Sequence, residues 1–112
     1  MSVEQLDVID IISTDRETGD VILTISDHLD WSNSVEHQTV LQAKLNKYLA
    51  FIESGEVLVR YPDAKGRSLV IEIVFKHRPD RPGWDFMARA KTVIESAGFG
   101  FRHRIFAESY DN

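Results

Sequence analysis

The chain has no cysteine, which excludes disulfide staples, thiolate metal ligands and thiol nucleophiles together. It also lacks any apolar run near the roughly 20 residues that a membrane-spanning helix requires. The opening MSVEQLDVID has neither the basic nor the apolar region of a secretory leader. The expectation is therefore a soluble, cytoplasmic protein without membrane association. No glycine-rich phosphate loop is present, since PDAKGR (62–67) has neither the spacing nor the following helix that such a loop needs. Prolines number three, at 62, 79 and 82, and confine the strong chain breaks to two places. What remains is 112 residues, enough for one α+β domain spanning 1–112 with a core of its own.

Charge is unevenly distributed. The net value is −5, yet residues 1–56 carry 11 acids and 3 bases, whereas residues 57–112 carry 7 acids and 10 bases. Such asymmetry points either to a basic patch or head-to-tail association, or to two halves that complement each other inside one fold. Halves of a single domain interleave as a rule, so the expectation is that the asymmetry is lost at the surface. An overall −5 also argues against a nucleic-acid partner, whose phosphates demand cations.

Periodicity sets an order of elements. LDVIDIIS (6–13) is rich in Val and Ile and reads as a strand, and DVILTISD (20–27) alternates, with Val21, Leu23 and Ile25 on one face. The DRETG between them, with Gly19 suited to positive φ, makes the pair a hairpin. Residues 33–53 form a helix on the stripe Leu41, Leu45, Tyr48, Leu49 and Ile52, capped at Asn33 or a neighbouring serine and stopped at Gly55. EVLVRY (56–61) and RSLVIEIVFKH (67–77) alternate again and predict a second hairpin across the turn PDAKG. After RPDRPG, Pro82 suits the first turn of a helix over 83–97, which Gly98 ends.

GFGFRHRIF (98–106) has the letters of an RNA-binding aromatic strand. Gly98 follows a helical stripe directly, however, and Phe99 and Phe101 share the more apolar parity, so the rings are expected in the core rather than under bases.

The resulting order, β-β-α-β-β-α-β, predicts an antiparallel or mixed sheet with two helices on one face: a ferredoxin-like (split βαβ) core with an extra N-terminal strand. The helix-free face would then display Leu58, Arg60, Val70, Val74, Arg102, Arg104 and Phe106. That is more apolar surface than a monomer usually leaves open, which predicts a homodimer or another protein partner on that face.

The densest cluster of chemically active residues is ISDHLDW (25–31). Consecutive strand residues point to opposite faces, so Ser26, Asp27 and His28 do not converge into a triad, and the stretch reads as a connection whose Asp and Ser groups cap amides. An enzymatic or ligand-binding alternative uses His28, Asp30 and His37 near the start of the first helix. His37, His77 and His103 all fall on inward parities, but none is spaced for metal ligation, and no metal or other cofactor is implied. The stretches LTISDHLDW (23–31), LQAKLNKYLAFIESGE (41–56) and YPDAKGR (61–67) resemble a family of small bacterial proteins known only as a domain of unknown function, over residues 7 to 106. The resemblance implies a stand-alone cytoplasmic bacterial protein and carries no activity and no site residue. A non-catalytic, dimeric interaction module is the reading that results.

Overall fold

A computed structural model of the chain describes Ile9 and residues 11–106. Strand β1 (Ile11–Thr14) turns through a six-residue loop into β2 (Val21–Asp27), and the two pair antiparallel as the sequence predicts. The expected strand over 6–13 is described only at Ile9 and from Ile11 onward; its other residues lie outside the described set. The loop is held by Asp15, whose Oδ1 accepts from the amides of Glu17 and Thr18 at 2.8 and 3.2 Å, and Gly19 takes the positive φ of 78°. Helix α1 (Ser34–Glu53) starts at Asn33, whose side chain accepts from the Glu36 amide at 3.2 Å, and it is followed by Gly55 at φ 84°. Of the expected stripe, Leu41, Leu45, Tyr48 and Ile52 are buried and Leu49 is half-buried.

The first departure is at 56–61. That segment is not a strand but a short helix, α2 (Glu56–Arg60), followed by a 3₁₀ turn at Pro62–Ala64. Gly55 reverses the chain so that Val57 alone drops into the core, at 2% exposure, while Leu58, Val59 and Arg60 stay outside. The second hairpin therefore does not form. Instead β3 (Leu69–Phe75) pairs parallel to β2, and after helix α3 (Arg81–Ser96) strand β4 (Gly100–Ile105) pairs parallel to β3. The described elements are four strands in the order β1-β2-β3-β4 and three α-helices, a mixed α+β arrangement. The split βαβ order would need β-strands 56–61 and 67–77 side by side, and α2 removes the first of them.

Two crossovers that step the same way across a sheet put their helices on the same face, and α1 and α3 pack against each other there. Beneath them Val21, Leu23 and Ile25 of β2 and Ile71, Ile73 and Phe75 of β3 are fully buried, in register across the parallel ladder. Each such side chain contributes about 1.5 to 3 kcal/mol on leaving water. Phe101 joins them at 8% exposure, as core packing requires of the GFGFRHRIF stretch, while His77 and His103, expected on inward parities, are exposed. No helix among the described residues is long and apolar enough to cross a membrane.

The helix-free face is more closed than the sequence suggests. Ile22, Thr24, Glu72 and Val74 lie on it, yet each is buried. Arg102 Nε donates to Glu72 Oε2 at 2.8 Å and Arg104 Nε approaches Oε1 at 3.5 Å, so both guanidinium groups lie back across β3. Val70, Val74, Arg102 and Arg104 share this face as expected. Leu58 and Arg60 do not, because they belong to α2, which packs against α1; the Arg60 guanidinium sits 5.5 Å from the Phe51 ring. Phe106, just beyond β4, is half exposed.

Residues 11–56 carry eight acids and three bases and residues 57–106 five acids and ten bases. The two groups meet in space: Tyr61 Oη lies 2.7 Å from Thr14 Oγ1, Arg67 donates to the Gly19 carbonyl at 3.0 Å, Arg60 lies over Phe51 and Arg102 acts on the Asp15 carboxylate.

Candidate functional site

The parallel strands β2, β3 and β4 end at one edge of the sheet, and α1 and α3 both begin there. In open α/β sheets this edge is where ligands bind. Strand β2 ends on Asp27, whose parity is that of Val21, Leu23 and Ile25, so its carboxylate points inward with no exposed side-chain surface. The chain then turns. Asp27 Oδ1 accepts from the Leu29 amide at 3.1 Å, and Asp30 Oδ1 accepts from the Ser32 amide at 3.0 Å and the Ser32 hydroxyl at 2.6 Å. Those two Ser32 donors, hydroxyl first, hold the Asp30 carboxyl below its ordinary value of 3.8, with nearby His77 and His37 acting in the same direction.

One turn into α1, His37 points back at Asp27. Its Nε2 lies 2.5 Å from Asp27 Oδ2 and its Nδ1 lies 2.9 Å from the carbonyl oxygen of Asp30. A carbonyl can only accept, so Nδ1 carries a hydrogen and donates it. A hydrogen bond joins Nε2 and Oδ2, since two bare acceptors would repel at that distance. Both ring nitrogens are thus engaged. Trp31 covers the imidazole, ring on ring at 3.7 Å and 24°, and its own Nε1 donates to the His77 carbonyl at 3.2 Å. Trp31 in turn lies against Gly83, where a Cβ would come within 2.7 Å of the indole.

The starts of the two helices are tied together by Asp80. This residue caps α3 by accepting from the Gly83 amide at 2.8 Å, and it also accepts from the Ser34 hydroxyl of α1 at 3.0 Å. Farther along the edge, Trp84 of α3 contacts His103 of β4 at 4.9 Å, with Phe75 beside both.

His28, Asp30 and His37, the alternative set read from sequence, do line one cleft, of about 360 Å³, together with Ser32, Asn33 and Glu36. Its chemistry is largely committed. His37 has no ring nitrogen left to take a proton from a substrate, which a general base must do, and Asp30 is occupied in its own turn. Ser26, Asp27 and His28 diverge as expected, being half-buried, buried and exposed in succession. Among the described residues no group of three or more His, Asp or Glu side chains is placed to hold a metal ion.

Sequence reasoning placed His37 inward but missed its partner. The signal was available: Asp27 continues an inward parity, and two buried polar groups on adjacent elements must satisfy each other. The Trp31 cover and the Asp80 bridge had no comparable signal, because each joins residues 46 or more positions apart. Lys44, fully buried with its ammonium 5.6 Å from the Tyr48 ring, was also unforeseen.

The paired Asp27 and His37, the N-capped α1 and the Gly55 stop all fall inside a stretch shared with other chains: the profile of one family matches residues 1–107. The chain belongs to DUF6572, a family of unknown function. The match spans every described element, from β1 to the end of β4. No curated protein and no solved structure matches the chain.

Proposed function

We propose that this DUF6572 chain is a non-catalytic protein-interaction module. The observation that carries the reading is a chain of two signs, eight acids and three bases over residues 11–56 against five acids and ten bases over residues 57–106, with Arg102, His103 and Arg104 exposed together on β4. A two-signed surface orients a protein partner during approach and penalises wrong ones. The occupied imidazole of His37 supports the same reading, since the enzymatic alternative needs a free nitrogen there. Dimerisation through the helix-free face is a second form of the proposal, favoured by the exposed Ile11 and the half-buried Val70 on that face.

The test is site-specific photocrosslinking in cells that naturally make the protein, with benzoylphenylalanine replacing Arg104 on β4, Val93 on α3 or Val59 on α2 in separate full-length chains. A discrete protein adduct from at least one position is expected. Absence of an adduct from all three, with the chains folded and expressed, defeats the interaction reading. Sedimentation velocity of the purified chain at micromolar concentration separates the two forms: a dimer supports the second, a monomer the first.

A further inference from the structure

We propose that the groove between α1 and α3 receives an amphipathic helix of a partner protein, with a carboxylate of that helix against Arg89. This rests on the interaction reading and gives it a surface and a partner chemistry. The two helices leave between them a groove of about 310 Å³. Its floor is apolar: Leu45, Phe86 and Ile94 are buried, and Leu49 and Ala90 are half-buried. Val35 of α1 and Val93 of α3 also line it, at 76% and 61% exposure, so apolar side chains stand in water along an apolar floor.

Charge is kept out of this groove. In a chain with 28% charged residues, α1 gives it none: Glu36, Lys44, Lys47 and Glu53 all lie off the lining, which recurs at three- and four-residue steps from Val35 to Leu49. Helix α3 carries five charged residues and gives it one, Arg89. Loss of charge with arginine retained is the make-up of the centre of a protein contact. Arg89 is exposed and has no ion pair or hydrogen bond from its guanidinium among the described residues; Asp85, one turn earlier on α3, does not pair with it. A lone cation on an otherwise uncharged lining selects a partner with a carboxylate there.

The form of the partner follows from the walls. Backbone groups of α1 and α3 are spent inside each helix, so an extended strand finds no ladder to join, whereas a third helix can lay its apolar stripe between their side-chain ridges. From Val35 to Leu49 the α1 wall runs about 21 Å, which four turns of helix fill. A second copy fits less well. The exposed helix it has to spare, α2, is five residues long, and two such grooves face to face would bury each Arg89 without an acid opposite.

The probe is a capped helical peptide of about 18 residues with leucines at three- and four-residue spacing and Glu along both sides of the stripe, compared with its counterpart carrying Lys in place of Glu. Each is added to the full-length ¹⁵N-labelled chain. The acidic peptide is expected to shift the amide resonances of 35–49 and 86–94 and to bind about tenfold more tightly than the basic one, although the net −5 of the chain favours the basic one. Arg89→Gln, at an exposed position, should keep the native spectrum and weaken the acidic peptide by a similar factor. Tighter or equal binding of the basic peptide, shifts confined to other elements, or indifference to Arg89→Gln overturns the proposal. A dimer of the purified chain that Val93→Glu dissociates also overturns it, by placing a second copy in the groove. In the crosslinking experiment an adduct from Val93 is expected, and Arg89→Glu in the same chain should remove it; an adduct that persists contradicts the charge pairing. Adducts from Arg104 or Val59 but not Val93 overturn this inference and leave the interaction reading standing; none from any position removes both.

Discussion

At the scale of single residues, the Asp27–His37 pair makes a claim that denaturation can measure. Removing one member of a buried, hydrogen-bonded ionisable pair leaves the other without its partner, which costs about 3 to 5 kcal/mol. His37→Ala and Asp27→Ala should each lower unfolding stability by about that amount, and the double variant should lose less than the sum, because neither group is then left stranded. Additive losses below about 1 kcal/mol each would mean that the pair holds nothing together. Asp30 gives a second test at this scale. Its carboxyl is held below 3.8 by the Ser32 hydroxyl and amide, so in an NMR titration it should ionise at lower pH than a free Asp and move back up in Ser32→Ala. A folded value below the unfolded one means that its contribution to stability is present above the unfolded value and is lost as pH falls through the folded one. His37 on its inward face and Asp27 on its parity could both be read from the sequence; that the two meet could not, because it depends on the angle at which α1 leaves β2.

Among elements, what was legible depended on whether the deciding partner is local. Helix α1 carries its own cap, stripe and stop, all within one stretch, and forms where expected. EVLVRY carries strand-like alternation, but the strand it was expected to pair with, β3, gives its two edges to β2 and β4. Without a free edge there the segment turns into α2 and buries Val57 alone. Helix α3 depends on a contact no local pattern announces, the approach of Gly83 to Trp31. A Cβ at this position would lie 2.7 and 2.8 Å from the indole and 3.0 Å from Pro79. Gly83→Ala should therefore lower stability by about 1 to 3 kcal/mol through overpacking, against a helix-propensity gain of at most about 1 kcal/mol. Near-UV circular dichroism should report the displaced indole. A more stable variant with an unchanged tryptophan signal would contradict this packing.

For the whole molecule, the core claim is that the helix layer and the sheet are one packed unit. Leu45→Ala and Ile73→Ala remove large side chains at 4% and 0% exposure and should each cost about 2 to 5 kcal/mol in chemical denaturation. Val74, read from the sequence as the centre of an open patch, is at 9%. Val74→Glu should accordingly destabilise the chain by burying a second carboxylate beside Glu72, with Arg104 the cation opposite both, rather than release a folded monomer from a dimer. Alternation in LVIEIVF revealed which residues share a face; it carried no information about what lies over that face.

The plain succession β1, β2, β3, β4 also has a meaning in time. On the ribosome each strand is completed after the neighbour it will join, so nothing made early has to open for something made late. The last to emerge is β4, and until it does the growing sheet ends at β3, whose LVIEIVF has six apolar residues and one acid, the composition of an aggregating segment. The arginines arrive with the strand that covers it. A chain terminated at residue 97 should thus be far less soluble than the full-length product, and interruption late in translation, rather than early, is where this protein is most exposed to misassembly.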